Sequence, residues 1–398
     1  MVIADSKGCL VVCTAWTVLL LVVLSSFSCK SDPKAGTAPG DQAPIEDTST
    51  VDKTGIEGGE AGQNNGSGAF SQHFRRLKTI QLSDQVLIGK IRFIDVDDDG
   101  AILATDLIGM QVHLFNQEGE LLKSLTAEPC HPGFTMRPIQ AVYAPDASIL
   151  MTNGGPWGYL FKRNGECSYA VDENFTPPDK LCSTDDELYG FYTVRPEEVY
   201  IRVMDASGKG LSSFQIASPK FPNITYRMPV GGLLCSESGR IYYSDGFDPT
   251  ITVYDREGGV LQVIDEAPSY FKSIDADIRH YSQPERGMPA ISKALENSTI
   301  LYSMFLLDEE RILVQYHNQS EGDRYRIGIL GTNGEWILDP EVEIETPIYL
   351  AKDGFVYTMS QAGPDQQGHI PNPSIEVYQY WTQGIGIRVA TKGCHPVN

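Results

Sequence analysis

Asp98-Asp99-Gly100 followed by Ala101-Ile102-Leu103-Ala104-Thr105-Asp106 is a phrase the chain repeats: a turn, a short apolar strand, a polar break. It returns as Asp146-Ala147-Ser148 before ILMTN, Glu197-Glu198 before VYIRV, and Glu237-Ser238-Gly239-Arg240 before IYYSD. Glu309-Glu310-Arg311 before ILVQY and Lys352-Asp353-Gly354 before FVYTM complete a set of six between residues 95 and 360. A second, glycine-centred turn follows most of them, with glycines at 119, 165, 208, 258, 334 and 384. Successive spacings of 46, 43, 50, 76 and 50 residues imply six units, one of them carrying an insertion. Units of this length that hold several short strands bury one sheet face against the next, which is how a propeller is built.

Outside those turns, LKTIQLS, MQVHLF, TITVYD and SIEVYQY alternate with period two, as half-buried antiparallel strands do. The expected fold is therefore all-β, a six-bladed propeller of four-stranded antiparallel blades over residues 70–398. Ring closure needs one blade of mixed origin. The strand Arg76–Ser83 is the favoured outer strand of the sixth blade, with Ile385–Thr391 as the alternative.

Upstream, Cys9–Leu24 is almost wholly apolar and leads into Ser26-Phe27-Ser28-Cys29. An apolar core of that length suits a signal peptide. Small residues running into a cysteine resemble the bacterial lipoprotein cleavage box, and this resemblance implies lipidation at Cys29. An uncleaved anchor reaching Phe27 and simple secretion are the alternatives. Residues 30–69 hold no aromatic side chain and almost no large aliphatic one. Such a stretch cannot bury enough apolar area to offset its chain entropy and reads as a disordered tether. Each reading puts the propeller outside the cytoplasm.

The chain carries a net charge of −21. A field of that sign repels nucleic acid and anionic lipid headgroups and favours cations or cationic ligands, with solubility alone as the alternative; no nucleic-acid partner is expected. The cysteines beyond the leader, at 130, 167, 182, 235 and 394, are odd in number and lack a zinc-type pairing; Cys167–Cys182 is the nearest pair and a candidate clip. The insertion, residues 266–298, is expected to cross one face of the disc, its Tyr270, Phe271, His280 and Tyr281 forming a ligand surface.

The first repeat, Asp97–Asp106 then Val112-His113-Leu114-Phe115-Asn116 and Gly119, and the fourth, Gly239–Asp245 then Ile251-Thr252-Val253-Tyr254-Asp255 and Gly258, resemble the repeats of bacterial NHL-type and TolB-like six-bladed propellers. Many of those are exported lipoproteins. The resemblance spans residues 75–360, most of the mature chain, and describes architecture, not a reaction.

Two constellations could carry chemistry. Asp95, Asp97, Asp99 and Asp106 fall at positions 1, 3, 5 and 12 of a calcium-loop pattern, with Gly100 at 6, which would make Ca²⁺ the cofactor. A plain hairpin turn is the competing reading, since strands on either side would draw Asp106 away. Asp106, Asn153, Asp245 and Asn318 each end the second strand of a repeat and are expected at equivalent heights around a channel mouth. There they would bind a ligand or, as the resemblance to six-bladed lactonases implies, a catalytic calcium. Capping of strand ends is the alternative. No nucleophile elbow, phosphate loop or dinucleotide fingerprint occurs. The function expected is a monomeric, membrane-tethered binding module for a protein or glycan of the cell envelope, the alternative a calcium-dependent lactonase or esterase.

Overall fold

A computed structural model describes residues 67–133, 137–153, 158–171, 180–195, 198–216, 230–274, 295–322, 324–361, 363 and 370–381. Within them lie six four-stranded antiparallel sheets. Blade 1 holds β2 (Ile91–Val96), β3 (Ile102–Asp106), β4 (Gln111–Phe115) and β5 (Leu121–Leu125). Blade 2 holds β6 (Pro138–Tyr143), β7 (Ile149–Asn153), β8 (Gly158–Phe161) and β9 (Cys167–Val171). Blade 3 is β10 (Lys180–Ser183), β11 (Leu188–Arg195), β12 (Glu198–Met204) and β13 (Gly210–Gln215). Blade 4 is β14 (Gly232–Cys235), β15 (Ile241–Ser244), β16 (Ile251–Tyr254) and β17 (Val260–Ile264). Blade 5 is β18 (Thr299–Asp308), β19 (Arg311–Asn318), β20 (Tyr325–Gly331) and β21 (Trp336–Ile344).

Blade 6 joins the two ends of the domain. Its strands β22 (Ile348–Lys352), β23 (Phe355–Ser360) and β24 (Ser374–Tyr380) accept β1 (Phe74–Gln81) as their outer edge. The register runs from Phe74 opposite Tyr380 to Gln81 opposite Ser374. The favoured N-terminal strand thus closes the ring; Ile385–Thr391 lies outside the described residues. A short helix, α1 (Ser67–His73), precedes β1, so the boundary expected at residue 69 falls inside it. Phe70 on α1 stacks on Phe74 with ring centroids 4.5 Å apart.

Burial explains why the repeats read as continuous apolar runs. β3 is buried at all five positions, as are the four positions of β8, β14 and β15. A blade is covered on both faces by its neighbours, so its middle strands lose the alternation that one-sided sheets show. Outer strands are covered far less: β13 and β17 are mostly exposed. Six separate apolar clusters fill the six interfaces, for example Leu103, Leu114, Tyr143, Met151 and Tyr159 between blades 1 and 2.

The second turns have one construction. Gly119, Gly165, Gly208, Gly258 and Gly334 adopt φ between 75° and 93°, a conformation that only glycine enters freely. In blade 1 the Asn116 side-chain oxygen accepts the backbone N–H groups of Glu118 and Glu120, and Asp205 and Asp255 repeat this in blades 3 and 4. That is the asparagine-or-aspartate turn the local sequence asks for.

Two disulfides bridge adjacent blades, Cys130–Cys167 and Cys182–Cys235, with Cα separations of 5.5 and 5.9 Å. The expected Cys167–Cys182 pair is corrected. Cys167 lies on the outermost strand of blade 2 and Cys182 on the innermost strand of blade 3, at opposite radii, although close in sequence. Cys130 instead follows the outer strand of blade 1, and Cys235 sits on the inner strand of blade 4. Non-reducing peptide mapping should recover these two linkages. Replacing Cys182 and Cys235 together with serine should cost about 2–4 kcal/mol in urea titrations, and no change in the midpoint would argue against a bridged native state.

Candidate functional site

The first strands β2, β6, β10, β14, β18 and β22 contact one another in a closed cycle around the axis. Each such strand has one edge without a sheet partner, and its backbone groups need other partners. Neighbouring blades supply them. The Gln140 amide both accepts from Leu181 N (3.0 Å) and donates to Leu181 O (3.2 Å), standing in for a strand between blades 2 and 3. Asp95 accepts from Tyr143 N at 2.8 Å, Glu237 from Asp185 N at 3.1 Å, and Glu309 from Glu237 N at 3.0 Å. Gln315 accepts from Ile348 N at 2.7 Å, and Lys352 donates to Val96 O at 3.0 Å. Every blade interface is clasped at the channel wall.

Inside the cycle is a cavity of about 450 Å³. Its wall changes character along the axis. Where the inner strands begin it presents Arg92, Lys180, Tyr302 and Tyr349; where they end it presents Asp95, Glu237, Asp308, Glu309 and Asp353 beside Lys352. Glu237 has its carboxyl pushed above the usual range by burial, with Asp185, Glu309 and Asp186 adding to the effect. Burial also raises the Asp95 carboxyl, against the pull of Lys352. Lys180 is committed: its ammonium donates to Val230 O at 2.5 Å, clasping blade 4.

The residues expected to ring the mouth sit elsewhere. Asp106, Asp245 and Asn318 are not part of the cavity wall; they lie at or just beyond the ends of second strands, one layer behind it. Each caps the turn that follows. Asp245 accepts from Phe247 N at 2.9 Å and Asn318 from Ser320 N at 3.0 Å. Asn153 ends β7 opposite Pro138. The strand-capping alternative accounts for these placements: a carboxylate or amide at a strand end finds backbone N–H groups closer than any ligand.

Asp106 shows this most fully. It is 0% exposed and accepts four backbone N–H groups, from Gly89 (2.7 Å), Lys90 (2.8 Å), Ile108 (3.0 Å) and Gly109 (2.9 Å). Burial alone would raise its carboxyl, but the neighbouring His113 imidazole and these backbone donors hold it well below the usual carboxylate range. His113 Nε2 stands 3.7 Å away and its Nδ1 shares a 2.9 Å contact with Ser124 Oγ. The trio has the residue types of a hydrolytic triad, yet His113 is 1% exposed and Asp106 is saturated, so no substrate can reach them. The arrangement is structural.

The calcium-loop set is drawn apart as well. β2 and β3 pair Val96 with Ile102 and Ile91 with Asp106, so Asp106 lies at the end of the hairpin remote from Asp97 and Asp99. Asp97 Oδ1 accepts from Asp99 N and Ala101 N, and its Oδ2 pairs with Arg163, which also holds Asp99. Asp95 is occupied by Val96 N and Tyr143 N. The hairpin-turn reading is the one that fits these contacts, and among the described residues no group of three or more His, Cys, Asp or Glu side chains is placed to hold a metal ion.

In the insertion, Tyr270 and Phe271 pack on blade 5. Tyr270 Oη donates to Pro340 O at 2.6 Å, Arg326 lies 4.4 Å over its ring, and both rings meet Tyr316 edge-on. They anchor the excursion rather than present a free surface. His280 and Tyr281 lie outside the described residues.

Similarity to known proteins stops at the fold. No protein-family model and no curated protein matches the chain. Among solved structures, a Bacteroides fragilis NCTC 9343 protein named for its inferred export superposes with a TM-score of 0.56 at 11% identity, covering 78% of this chain and 96% of that one. A DUF4221 family member from Bacteroides vulgatus gives a TM-score of 0.49 at 10% identity over 77% and 98% of the two chains. A streptogramin B lyase gives 0.46 at 11% identity over 78% and 89%. The first of these shows a likeness of fold over most of both chains. Among the described residues no helix is long and apolar enough to cross a membrane.

Proposed function

We propose that this protein is exported and acts in the cell envelope as a binding module whose ligand enters the central channel. The observation that carries the reading is the cavity of about 450 Å³, walled by aromatic and aliphatic side chains with charged and polar groups towards both ends. That size is that of small-ligand sites. Two bridges between blades support an oxidising compartment, because cytosolic thiols are kept reduced. The apolar leader ending at Cys29 points the same way, and the B. fragilis fold neighbour carries export in its name. Lipidation of Cys29 and the 30–69 tether would hold the propeller off the bilayer.

Cell fractionation tests this directly. The full chain should sediment with membranes and incorporate labelled fatty acid, and Cys29→Ala should abolish both. Protein purified from envelopes should carry a small molecule detectable by mass spectrometry after denaturation. Recovery of the wild-type chain in the cytosol, with free thiols, would end the proposal.

A further inference from the structure

The channel wall contains an irregularity that recurs. In four blades the innermost strand slips one residue against the second: between Ile91 and Phe93, Pro138 and Gln140, Leu301 and Ser303, and Ile348 and Leu350. Blades 3 and 4 pair without a slip. A bulge leaves one residue unpaired, bends the strand and re-aims that side chain. The displaced residues are Arg92, Ile139, Tyr302 and Tyr349, and all but Ile139 line the cavity.

These three belong to one neighbourhood. Arg92 and Tyr302 interact electrostatically, as do Tyr302 and Tyr349, although they come from blades 1, 5 and 6. All three are half-buried. Burial lowers the Arg92 guanidinium from its usual value, Tyr302 opposes that, and Arg137 on the same rim adds to it. Burial, with Tyr302 alongside, pushes the Tyr349 phenol up to about 12, so both it and the guanidinium are protonated donors at neutral pH.

What is missing around Arg92 is a carboxylate. The chain has 52 acidic side chains against 31 Lys and Arg, yet among the described residues none pairs with this guanidinium. Its recorded contact is with the Phe93 ring, 5.3 Å away. Nor do the Tyr302 and Tyr349 hydroxyls find a protein hydrogen-bond partner among the described residues. Other polar groups of the wall, such as Gln140, Lys180 and Asp95, are spent on inter-blade clasps. Three donors without acceptors, brought to one place by three separate bulges, ask for an acceptor from outside.

Resting on the reading of the channel as the ligand site, we propose that Arg92, Tyr302 and Tyr349 bind the oxyanion group of a small organic molecule, a carboxylate or a phosphate monoester. The guanidinium offers a planar fork that matches two oxygens of such a group, and the phenols supply further donors. Phe93 and Phe305 give the organic body an apolar wall, while Glu237, Glu309 and Asp353 at the other end repel the anion and fix its direction.

Calorimetry on the full chain tests this with four probes: glucuronate, glucose 6-phosphate, inorganic phosphate and neutral glucose. Saturable binding at millimolar concentration is expected for at least one organic oxyanion and not for glucose. Glucuronate against glucose 6-phosphate separates carboxylate from phosphate, and inorganic phosphate shows whether the organic body contributes. R92M, which keeps the buried stem, should weaken binding about 10- to 100-fold, R92K less, and Y302F with Y349F about 10-fold. Urea titration of each variant guards against a folding defect. Binding that survives R92M, or glucose binding as well as its acids, overturns the oxyanion assignment while leaving a channel ligand site in place. No saturable binding of any oxyanion probe also overturns it, and envelope fractionation then judges the broader reading separately.

Discussion

Replacing residues 74–82 with a glycine-serine linker of equal length should abolish cooperative folding. The segment contributes Phe74, Ile80 and Leu82, each at most 4% exposed, to the clusters at the blade 5–6 and 6–1 interfaces. Full burial of a large apolar side chain is worth about 1.5–3 kcal/mol, so the three account for roughly 5–9 kcal/mol. A whole domain is stable by only about 5–15 kcal/mol. The replacement also strips β24 of its outer partner over the register from Phe74 to Gln81, leaving only β23. Leu82 donates its N–H to Pro373 O, and Asn372 bonds Ser83 O, Val86 O and Ile88 N, so the loop into blade 1 would loosen as well. Circular dichroism melts should lose their sigmoidal transition, and adding a peptide of residues 70–83 in trans should restore part of it. A linker variant that melts within a few degrees of wild type would mean that β1 does not close the ring.

Asp106→Ala should be the most damaging single polar substitution, at about 2–3 kcal/mol in urea titrations. It removes a buried carboxylate that four backbone donors share, from Gly89, Lys90, Ile108 and Gly109, and because those residues are themselves exposed, water recovers part of the loss. Asp106→Asn keeps one acceptor oxygen and should cost about half as much. The pH dependence follows from the sign of the shift. The folded carboxyl lies below its unfolded value, so its contribution is complete above the unfolded value, about pH 4, and is lost as pH falls further. Wild-type stability should therefore decline more steeply in acid than that of the Asn variant. A loss below about 1 kcal/mol for the Ala variant would contradict the saturated arrangement.

The difference between legible and illegible features is one of range. Gly119, Gly165, Gly208, Gly258 and Gly334 announce their turns because positive φ is a property of a single residue and its neighbours. The apolar middle strands announce burial on two faces, and their recurrence announces repetition. The number of blades could be read from these signals alone; the strand that completes the sixth stayed open between Arg76–Ser83 and Ile385–Thr391, and the pairing of β1 with β24 decided it. Asp95, Asp97, Asp99 and Asp106 look like a ligand set along the chain, yet a hairpin pairs Ile91 with Asp106 and Val96 with Ile102, sending the acids to opposite ends.

The bulged residues leave no mark in the sequence. Arg92, Ile139, Tyr302 and Tyr349 differ in type, and a bulge is a relation between two strands rather than a property of one. The cysteine pairing failed for the same reason: 15 residues separate Cys167 from Cys182, but the chain passes from the rim of one blade to the hub of the next between them. Local backbone preference and strand periodicity, which act within a few residues, are written in the order of amino acids and specify six radial sheets. Which side chains share the central cavity, and which acids are spent on backbone, depends on radius and height in the assembled ring, because packing distances there bear no relation to separation along the chain.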